Sequence, residues 1–237
     1  MKTNLLYLIP LCMMAACNSP QPKSPEGDFK WQTDRFADLK VLRYQVPGWD
    51  DLSLKQKELV YYLSQAALCG RDIVFDQNYA GNLPIRRTLE TIYANYSGPK
   101  DTPQWNDFMV YLKRVWFSNG IHHHYSNDKF IPAFDKAYFR DLAANCGEAA
   151  FPVQEGQSRE EFLAWVEDLI FNPEIAPKRI SLDSSKDLVT SSACNFYEGV
   201  TEEEVDAFYN AFSMPDPDRP VSLGLNSKVV KKDGKVT

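Results

Sequence analysis

The sequence contains few residues that could carry catalysis. It has only three histidines, and they are consecutive, at positions 122 to 124. Zinc hydrolases bring two or three nitrogen or carboxylate ligands to one metal, and the helical motif that does so, H-E-x-x-H, is absent. The phosphate-binding patterns G-x-x-x-x-G-K and G-x-G-x-x-G, the nucleophile motif G-x-S-x-G and the C-x-x-C pair are absent as well. The residues of this chain therefore predict no catalytic site, no metal site and no cofactor.

Basic residues are also fewer than acidic residues in this chain. The formal net charge is −6, and a protein that binds nucleic acid needs a basic face for the phosphates. We therefore expect no nucleic-acid partner. Hydrophobic residues make up 44% of the 237 positions and charged residues 24%, which is enough for one sizeable core or two small ones.

A long apolar run occurs only at the start of the chain, from Leu5 to Met14. It follows the positive Met1-Lys2 start and is too short to span a bilayer as a helix. Met14-Ala15-Ala16-Cys17 resembles a bacterial lipobox, so residues 1–17 are predicted to be a signal peptide with lipidation at Cys17. A plain secretory peptide that happens to contain a cysteine is the alternative. By resemblance to enteric lipoproteins, Asn18 in place of aspartate directly after the cysteine implies sorting to the outer membrane.

The segment after the lipobox is predicted to be a disordered tether, residues 18–35. Pro20, Pro22 and Pro25 lie among small and polar residues there, a composition typical of spacers. Three cysteines remain in the predicted folded part: Cys69, Cys146 and Cys194. One disulfide could form in an oxidising compartment, and three buried free thiols are the favoured alternative.

Hydrophobic spacing predicts an α+β fold that is mostly α-helical with a few strands. Three capping boxes, in which an N-cap hydroxyl residue precedes a glutamine or glutamate by three positions, mark helix starts at Ser53, Ser158 and Thr201. Helices are predicted over residues 53–68, 82–95, 103–119, 132–146, 158–170 and 201–212. Strands are predicted over residues 39–46, 221–223 and 228–230, and Asp233-Gly234 predicts a hairpin that returns at residues 235–237.

The predicted helix after Thr102 is amphipathic and ends at Asn119-Gly120, a pair suited to a left-handed helix terminus. The polar run behind it gives four candidate ligand-contact residues: Asn119, Tyr125, Asn127 and Lys129. One interpretation is a cleft wall that meets an extended peptide. The other is turn chemistry, because asparagine, aspartate and glycine also build tight loops.

The histidine triplet in the same run has two interpretations. On an extended segment His122 and His124 would share one side, and Asp128 could add a carboxylate ligand. Packing of the three imidazoles against neighbouring groups, or solvation, is the interpretation that we favour, because three consecutive residues cannot all face one metal.

Several segments resemble the N-terminal half of the dipeptidyl peptidase III family, closest to its Bacteroides-type bacterial branch. They are Trp116–Tyr125 (WFSNGIHHHY), Asp128–Pro132 (DKFIP), Gly81–Arg87 (GNLPIRR) and Leu223–Lys228 (LGLNSK). Members of the family are zinc exopeptidases that release dipeptides from the N-terminus of oligopeptides. The resemblance extends from about Phe36 to the end of the chain, but the family's zinc motif has no counterpart here.

The resemblance implies a two-lobed fold around a wide cleft, with residues 36–237 forming mainly part of the lower lobe. By this resemblance, the catalytic glutamate, the zinc ligands and the groups that hold the substrate amine would follow Thr237. None of these roles can therefore be assigned to a residue of this chain. We therefore expect zinc and an oligopeptide substrate for a full-length enzyme, anchored in the cell envelope through the lipid on Cys17. This chain alone is expected to be an inactive, C-terminally truncated fragment, and a returning strand of only three residues suggests the same.

Two other functions are compatible with the sequence. The first is a non-catalytic, lipid-anchored surface protein that binds peptides or glycans. The second is a structural remnant without activity, which would expose apolar surface where a missing lobe should pack.

Overall fold

In the computed structural model, the described residues are 29–211, 218 and 227–237. The chain divides into two units, Met1–Gln45 and Val46–Thr237. The predicted strand at residues 221–223, the signal peptide with Cys17, and most of the tether lie outside the described residues. Among the residues that the structure describes, no helix is long and apolar enough to cross a membrane.

The first unit contains an antiparallel pair of strands, β1 (Gln32–Phe36) and β2 (Leu39–Leu42). Ala37 begins the turn between them with a left-handed φ of 46°. The prediction of disorder through residue 35 was wrong for the last residues of the tether, because they pair with a strand that begins at Leu39. β2 is also shorter than the predicted strand at residues 39–46.

The second unit is mainly helical. Its helices are α1 (Leu54–Cys69), α2 (Arg71–Asn78), α3 (Asn82–Asn95), α4 (Pro103–Ser118), α5 (Lys136–Ala144), α6 (Arg159–Phe171) and α7 (Glu202–Asn210). The capping boxes at Ser53, Ser158 and Thr201 form as predicted, each with its reciprocal pair of hydrogen bonds. The α+β, mostly helical fold class is therefore confirmed.

Three details at helix ends differ from what the sequence predicts. Asn82 is predicted to cap the second helix, but Gly81 is the N-cap of α3, because the Asn82 side chain bonds elsewhere in the fold. α5 begins after an Asp135 cap rather than at Pro132. Arg71-Asp72 is expected near the end of the first helix or in a continuation of it, but the pair opens a separate short helix, α2.

The main core lies between α2, α3, α4, α5 and α6. Its fully buried side chains come from one face of each helix. Several are aromatic rings in edge-to-face contact, an arrangement that a sequence rich in aromatic residues favours. The fully buried side chains include Phe75, Leu89, Phe108, Leu112, Phe139, Phe162 and Ile170. Ile121, in the loop after α4, is also fully buried and ties that loop to the core.

A small second core lies under the C-terminal strands. β3 (Tyr197–Glu198) pairs in parallel with β4 (Val229–Lys232), which pairs antiparallel with β5 (Lys235–Val236). Val200, Val205 and Val229 form the centre of this core, where α7 packs on the sheet. The predicted hairpin at Asp233-Gly234 is present, with φ values of 50° and 76° that suit a primed turn.

Helix α1 contradicts one expectation. The spacing of Leu59, Val60, Leu63, Ala66 and Ala67 predicts one apolar face on this helix, but none of its sixteen residues is buried. Leu54, Leu59, Tyr61, Tyr62 and Leu63 are each more than half exposed. A helix of this composition with no covered face presents an unusually large apolar surface to solvent.

The three remaining cysteines are free thiols. Cys146 is buried and donates to the Leu142 carbonyl, and Cys194 is half-buried. Cys69 is exposed at the end of α1, so the expectation that all three would be buried was wrong for this residue.

Candidate functional site

The candidate site is the loop that follows α4, residues 119–132. Thr102 caps the start of α4 and Pro103 occupies its first turn. At the other end Asn119 takes the left-handed conformation, with φ 53° and ψ 44°, as its pairing with Gly120 predicts. Gly120 has a φ of 144°, a conformation that few residues other than glycine adopt.

A buried asparagine fixes the first turn of this loop. The Asn82 Oδ1 accepts from the Ile121 backbone N–H at 3.1 Å, and its Nδ2 donates to the Phe75 carbonyl at 3.0 Å. A Cβ atom on Gly120 would lie only 2.2 Å from the Asn82 Nδ2. The side chain of Asn82 therefore occupies the space that the missing side chain of Gly120 leaves.

His122 is part of the core rather than of a ligand site. It is 2% exposed, and its Nε2 lies 2.8 Å from the Ala176 carbonyl oxygen. Burial lowers the pKa of His122 to about 4, and the nearby cations Lys129 and Arg179 lower it as well. The imidazole is therefore neutral at pH 7, so its Nε2 carries the proton that is donated to Ala176 and its Nδ1 is an acceptor.

A second segment of the chain, residues 172–179, holds the loop from the opposite side. The Lys129 Nζ donates to the carbonyls of Asn172 at 2.6 Å and Ile175 at 2.7 Å. Desolvation lowers the pKa of this ammonium to about 8, and the Asp168 carboxylate opposes that shift. Lys178 adds an ion pair with Asp128.

Arg179 links the segment 172–179 both to the loop 119–132 and to Asn78 at the end of α2. Its Nε donates to the Asn127 Oδ1 at 2.9 Å, and its two terminal nitrogens lie 3.4 Å from the Asn78 Oδ1 and 3.5 Å from the His124 carbonyl. Asn78 in turn donates to the Asn119 carbonyl at 3.0 Å. No signal in the sequence points to Arg179, since it is 52 residues from Asn127 along the chain and belongs to no local motif.

The four predicted cleft-wall residues therefore divide into two groups. Asn119, Asn127 and Lys129 build and brace the loop, which agrees with the turn-chemistry interpretation. Tyr125 does not take part in this bracing through its side chain, and it is 84% exposed. Of the four, only Tyr125 presents a large apolar surface to solvent.

Tyr125 belongs to a group of aromatic rings that we call the aromatic patch, formed by Phe117, His123, His124 and Tyr125. The ring centroids of His124 and Tyr125 are 4.3 Å apart, and those of His123 and His124 are 4.5 Å apart and stacked. Phe117 contacts His124 edge to face at 5.1 Å and is 41% exposed. The patch offers ring faces on a loop whose backbone is held in one conformation.

The orientation of His123 is also fixed. Its Nδ1 accepts from the backbone N–H groups of Tyr125 at 3.2 Å and Ser126 at 3.1 Å. An Nδ1 that accepts two hydrogen bonds has no free lone pair for a metal ion. Since His122 is buried and bonded to Ala176, the histidine triplet does not converge on one point.

Among the described residues, no group of three or more histidine, cysteine, aspartate or glutamate side chains is placed to hold a metal ion. The sequence also contains three acidic clusters, Glu160-Glu161, Glu202-Glu203-Glu204 and Asp216-Pro217-Asp218, which are expected to form caps and solvated faces. Glu161 and Glu204 complete capping boxes, and Glu202 accepts from the Leu188 backbone N–H at 3.0 Å. Of the third cluster, only Asp218 lies within the described residues.

A groove of about 630 Å³ lies away from the aromatic patch, between α5 and α6. Phe139, Ala143 and Leu163 form part of its lining. Its buried carboxylate, Glu167, is paired with Arg140 through two hydrogen bonds of 2.7 Å. This charge pair is satisfied within the protein, and Glu148, Arg159 and Glu160 also line the groove.

No protein-family model matches this chain, and no curated protein matches it either.

Proposed function

We propose that this chain is the N-terminal, lower-lobe portion of a zinc-dependent exopeptidase similar to the dipeptidyl peptidase III family, anchored to the cell envelope through Cys17. In this proposal the described residues bind and position an oligopeptide, and they neither hold the zinc ion nor cleave the peptide. The observation that carries the proposal is the aromatic patch. It lies on a braced loop within the longest of the segments that resemble the family.

The way in which the resembling segments pack supports the proposal. Gly81–Arg87 contributes Asn82, whose side chain bonds the loop that contains the histidine triplet and Tyr125. Two segments that resemble the family are thus joined by a buried hydrogen bond. This support matters for binding because an exposed aromatic ring binds a ligand more tightly when its backbone is already ordered before the ligand arrives.

The surface of α1 supports the expectation of a larger protein. Its apolar residues are exposed along the whole helix, and Ile73 and Val74 of α2 are also 54% and 43% exposed. Apolar surface of this extent is usually covered by another polypeptide. The proposal assigns that role to the part of the enzyme that would carry the zinc ligands and the catalytic glutamate.

The proposal is tested by reading the gene beyond the codon for Thr237 in all three forward frames. We expect a His-Glu…His zinc motif and a later glutamate ligand. In the same frame they would identify the front half of an intact enzyme, and in a shifted frame an interrupted gene. The longer product should release dipeptides from oligopeptides and lose this activity to a chelator. If no such motif follows in any frame, the proposal is wrong.

A second function is favoured by the same patch. A non-catalytic, lipid-anchored protein could use the exposed rings to bind peptides or glycans without any zinc site. This alternative predicts a stop codon close to Thr237, and it predicts ligand binding by the purified chain that a chelator leaves unchanged.

A further inference from the structure

We propose that a cavity between α2, α3 and α4 binds a small organic monocarboxylate through the guanidinium groups of Arg71 and Arg86. The cavity has a volume of about 370 Å³ and is lined by Arg71, Phe75, Arg86, Glu90 and Trp116. None of these residues belongs to the aromatic patch, and the inference does not depend on the proposed peptidase.

Arg86 supplies a buried donor to this cavity. It is 7% exposed, its Nη1 donates to the Asp72 Oδ1 at 2.8 Å, and its guanidinium lies 4.7 Å from the ring centroid of Phe75. Its Nε is buried and makes no hydrogen bond to any described residue, although the Glu90 Oε1 lies 3.4 Å away. A buried donor without an acceptor costs stability, and a bound ligand that accepts from it would remove this cost.

Arg71 adds a second cation from a different helix. It is exposed at the first position of α2, and within the described part of the chain its guanidinium has no hydrogen bond, ion pair or ring contact. The planar fork of N–H groups on an arginine matches the two oxygens of a carboxylate. Arg71 and Arg86 therefore offer this kind of donor to the same cavity.

Glu90 determines which charge the ligand can carry. Its Oε1 accepts from the Trp116 Nε1 at 2.9 Å and is the oxygen that faces Arg86. Its Oε2 has no donor among the described side chains, so this carboxylate repels a second negative charge. The neighbouring Asp72 is shared by Arg86 and Arg87.

The net charge of the lining favours a monoanion. Two arginines and one glutamate line the cavity, which leaves one positive charge to be neutralised. A monocarboxylate neutralises it, whereas a phosphate dianion would leave excess negative charge beside Glu90. A cationic amine would add to the positive charge that is already there.

The test is an NMR titration of the ¹⁵N-labelled chain with benzoate, benzamide, benzylamine and phosphate. The indole N–H of Trp116 lies in the cavity wall, and its signal is identified by its loss in Trp116→Phe. We expect benzoate to shift this signal saturably. Benzamide, which has the same shape without the charge, should bind at least about tenfold more weakly, and benzylamine and phosphate should also bind more weakly than benzoate.

Three variants assign the binding to the cavity. Arg71→Gln should weaken benzoate binding by at least about threefold, and Arg35→Gln, at an exposed arginine of the other unit, should leave it unchanged. Glu90→Gln keeps an acceptor for Trp116 and removes a negative charge, so it should tighten benzoate binding by about twofold to fivefold. A damaged fold would not produce tighter binding.

The absence of a saturable shift would overturn the inference and would mean that water satisfies the buried Nε of Arg86. Equal affinity for benzoate and benzamide, or tighter binding of benzylamine or phosphate, would refute the class of ligand. An Arg71→Gln variant that binds normally, or a Glu90→Gln variant that binds more weakly, would refute the site.

Discussion

Asn82 and Ile121 are joined by a buried hydrogen bond that spans 39 residues of sequence, from the Ile121 backbone N–H to the Asn82 Oδ1. Asn82 is fully buried, and the Nδ2 of the same amide satisfies the Phe75 carbonyl. One side chain thus links the end of α2, the start of α3 and the loop that bears the aromatic patch.

Replacing this amide should destabilise the protein strongly. Asn82→Ala leaves the Ile121 N–H and the Phe75 carbonyl buried without partners, so we expect the free energy of unfolding to fall by about 2–4 kcal/mol. Urea denaturation followed by circular dichroism measures this. Asn95→Ala is the control, since Asn95 bonds its own helix at an exposed position, and it should cost less than about 0.5 kcal/mol. Equal losses for the two variants would contradict the role of Asn82.

Gly120→Ala should be destabilising for a reason that depends on Asn82. The new Cβ would lie 2.2 Å from the Asn82 Nδ2, in addition to the strain of a φ of 144°. We expect a loss of about 2–4 kcal/mol. Gly147→Ala, with a φ of 58° and no atom within 4 Å, should show only the backbone strain of about 1–2 kcal/mol.

A double-mutant cycle separates the two effects at Gly120. In an Asn82→Ala background the clashing amide is gone, so Gly120→Ala should cost less than it does in the wild-type chain. Strict additivity of the two losses would show that the close approach of Asn82 does not determine the cost.

The local features of the fold could be predicted from the sequence because they depend on neighbouring residues. The three capping boxes, the left-handed Asn119 and the Asp233-Gly234 turn are each defined within a few positions. Helical spacing likewise matches buried positions of α3, α4 and α6, among them Leu89, Leu112 and Phe162, but Tyr93 and Trp116 share the predicted faces and are 45% and 37% exposed. Among the described residues, the sequence missed β1, which falls largely in the predicted tether, the short helix α2, and β3, which has only two residues, too few for a pattern to show.

The candidate site was harder to predict because its geometry depends on distant contacts. Asn127 and Lys129 look like ligand-binding residues in sequence, but Arg179 and the carbonyls of residues 172–175 engage them in the fold. Periodicity also failed at α1. Its apolar spacing predicts a buried face, but a pattern shows only that a helix could be covered and does not identify what covers it.

A charged substitution on α1 tests whether the apolar face of this helix is exposed in the isolated chain. Leu63 is 60% exposed, so Leu63→Glu should change the free energy of unfolding by less than about 0.5 kcal/mol and should reduce aggregation of the chain. Leu112→Glu, at a fully buried position of α4, should prevent folding. A large loss of stability in the Leu63 variant, measured by thermal unfolding, would mean that this face is covered within the isolated chain.

The three thiols within the described residues, Cys69, Cys146 and Cys194, should react at different rates. Burial raises the pKa of Cys146 and of Cys194, and only the thiolate is nucleophilic, whereas Cys69 is exposed. At pH 8, iodoacetamide should therefore modify Cys69 first, Cys194 more slowly and Cys146 last. Peptide mapping by mass spectrometry at successive times measures the order, and Cys69→Ser should remove the fast reaction. Early modification of Cys146 in the folded chain would contradict its buried position.

His122 should make the stability of the chain depend on pH below neutrality. The histidine pKa is 6.5 in the unfolded chain and about 4 in the fold, mainly because burial penalises the charged ring. Between these values the unfolded chain binds the extra proton and the folded chain does not. The free energy of unfolding should therefore decrease as the pH falls from 6.5 to about 4, by about 3 kcal/mol in total.

The groups around His122 explain why its pKa is low in the folded chain. Lys129 and Arg179 face the ring with positive charge, and Asp128 opposes them only weakly. The Nδ1, which would receive the proton, is buried and has no hydrogen-bond partner among the residues that the structure describes. Protonation would therefore place a third cation beside two that already hold residues 172–179 against the loop.

The measurement is urea denaturation of the wild-type chain and of His122→Gln at a series of pH values from 4 to 7.5. Glutamine cannot take up a proton, and its amide can still donate to the Ala176 carbonyl, so the variant should lose the part of the pH dependence that His122 contributes. The difference in free energy between the two chains should be constant above about pH 7 and should change steadily below pH 6.5. A difference that does not vary with pH would show that His122 titrates alike in the folded and unfolded chains, and would refute its assignment as a buried neutral residue.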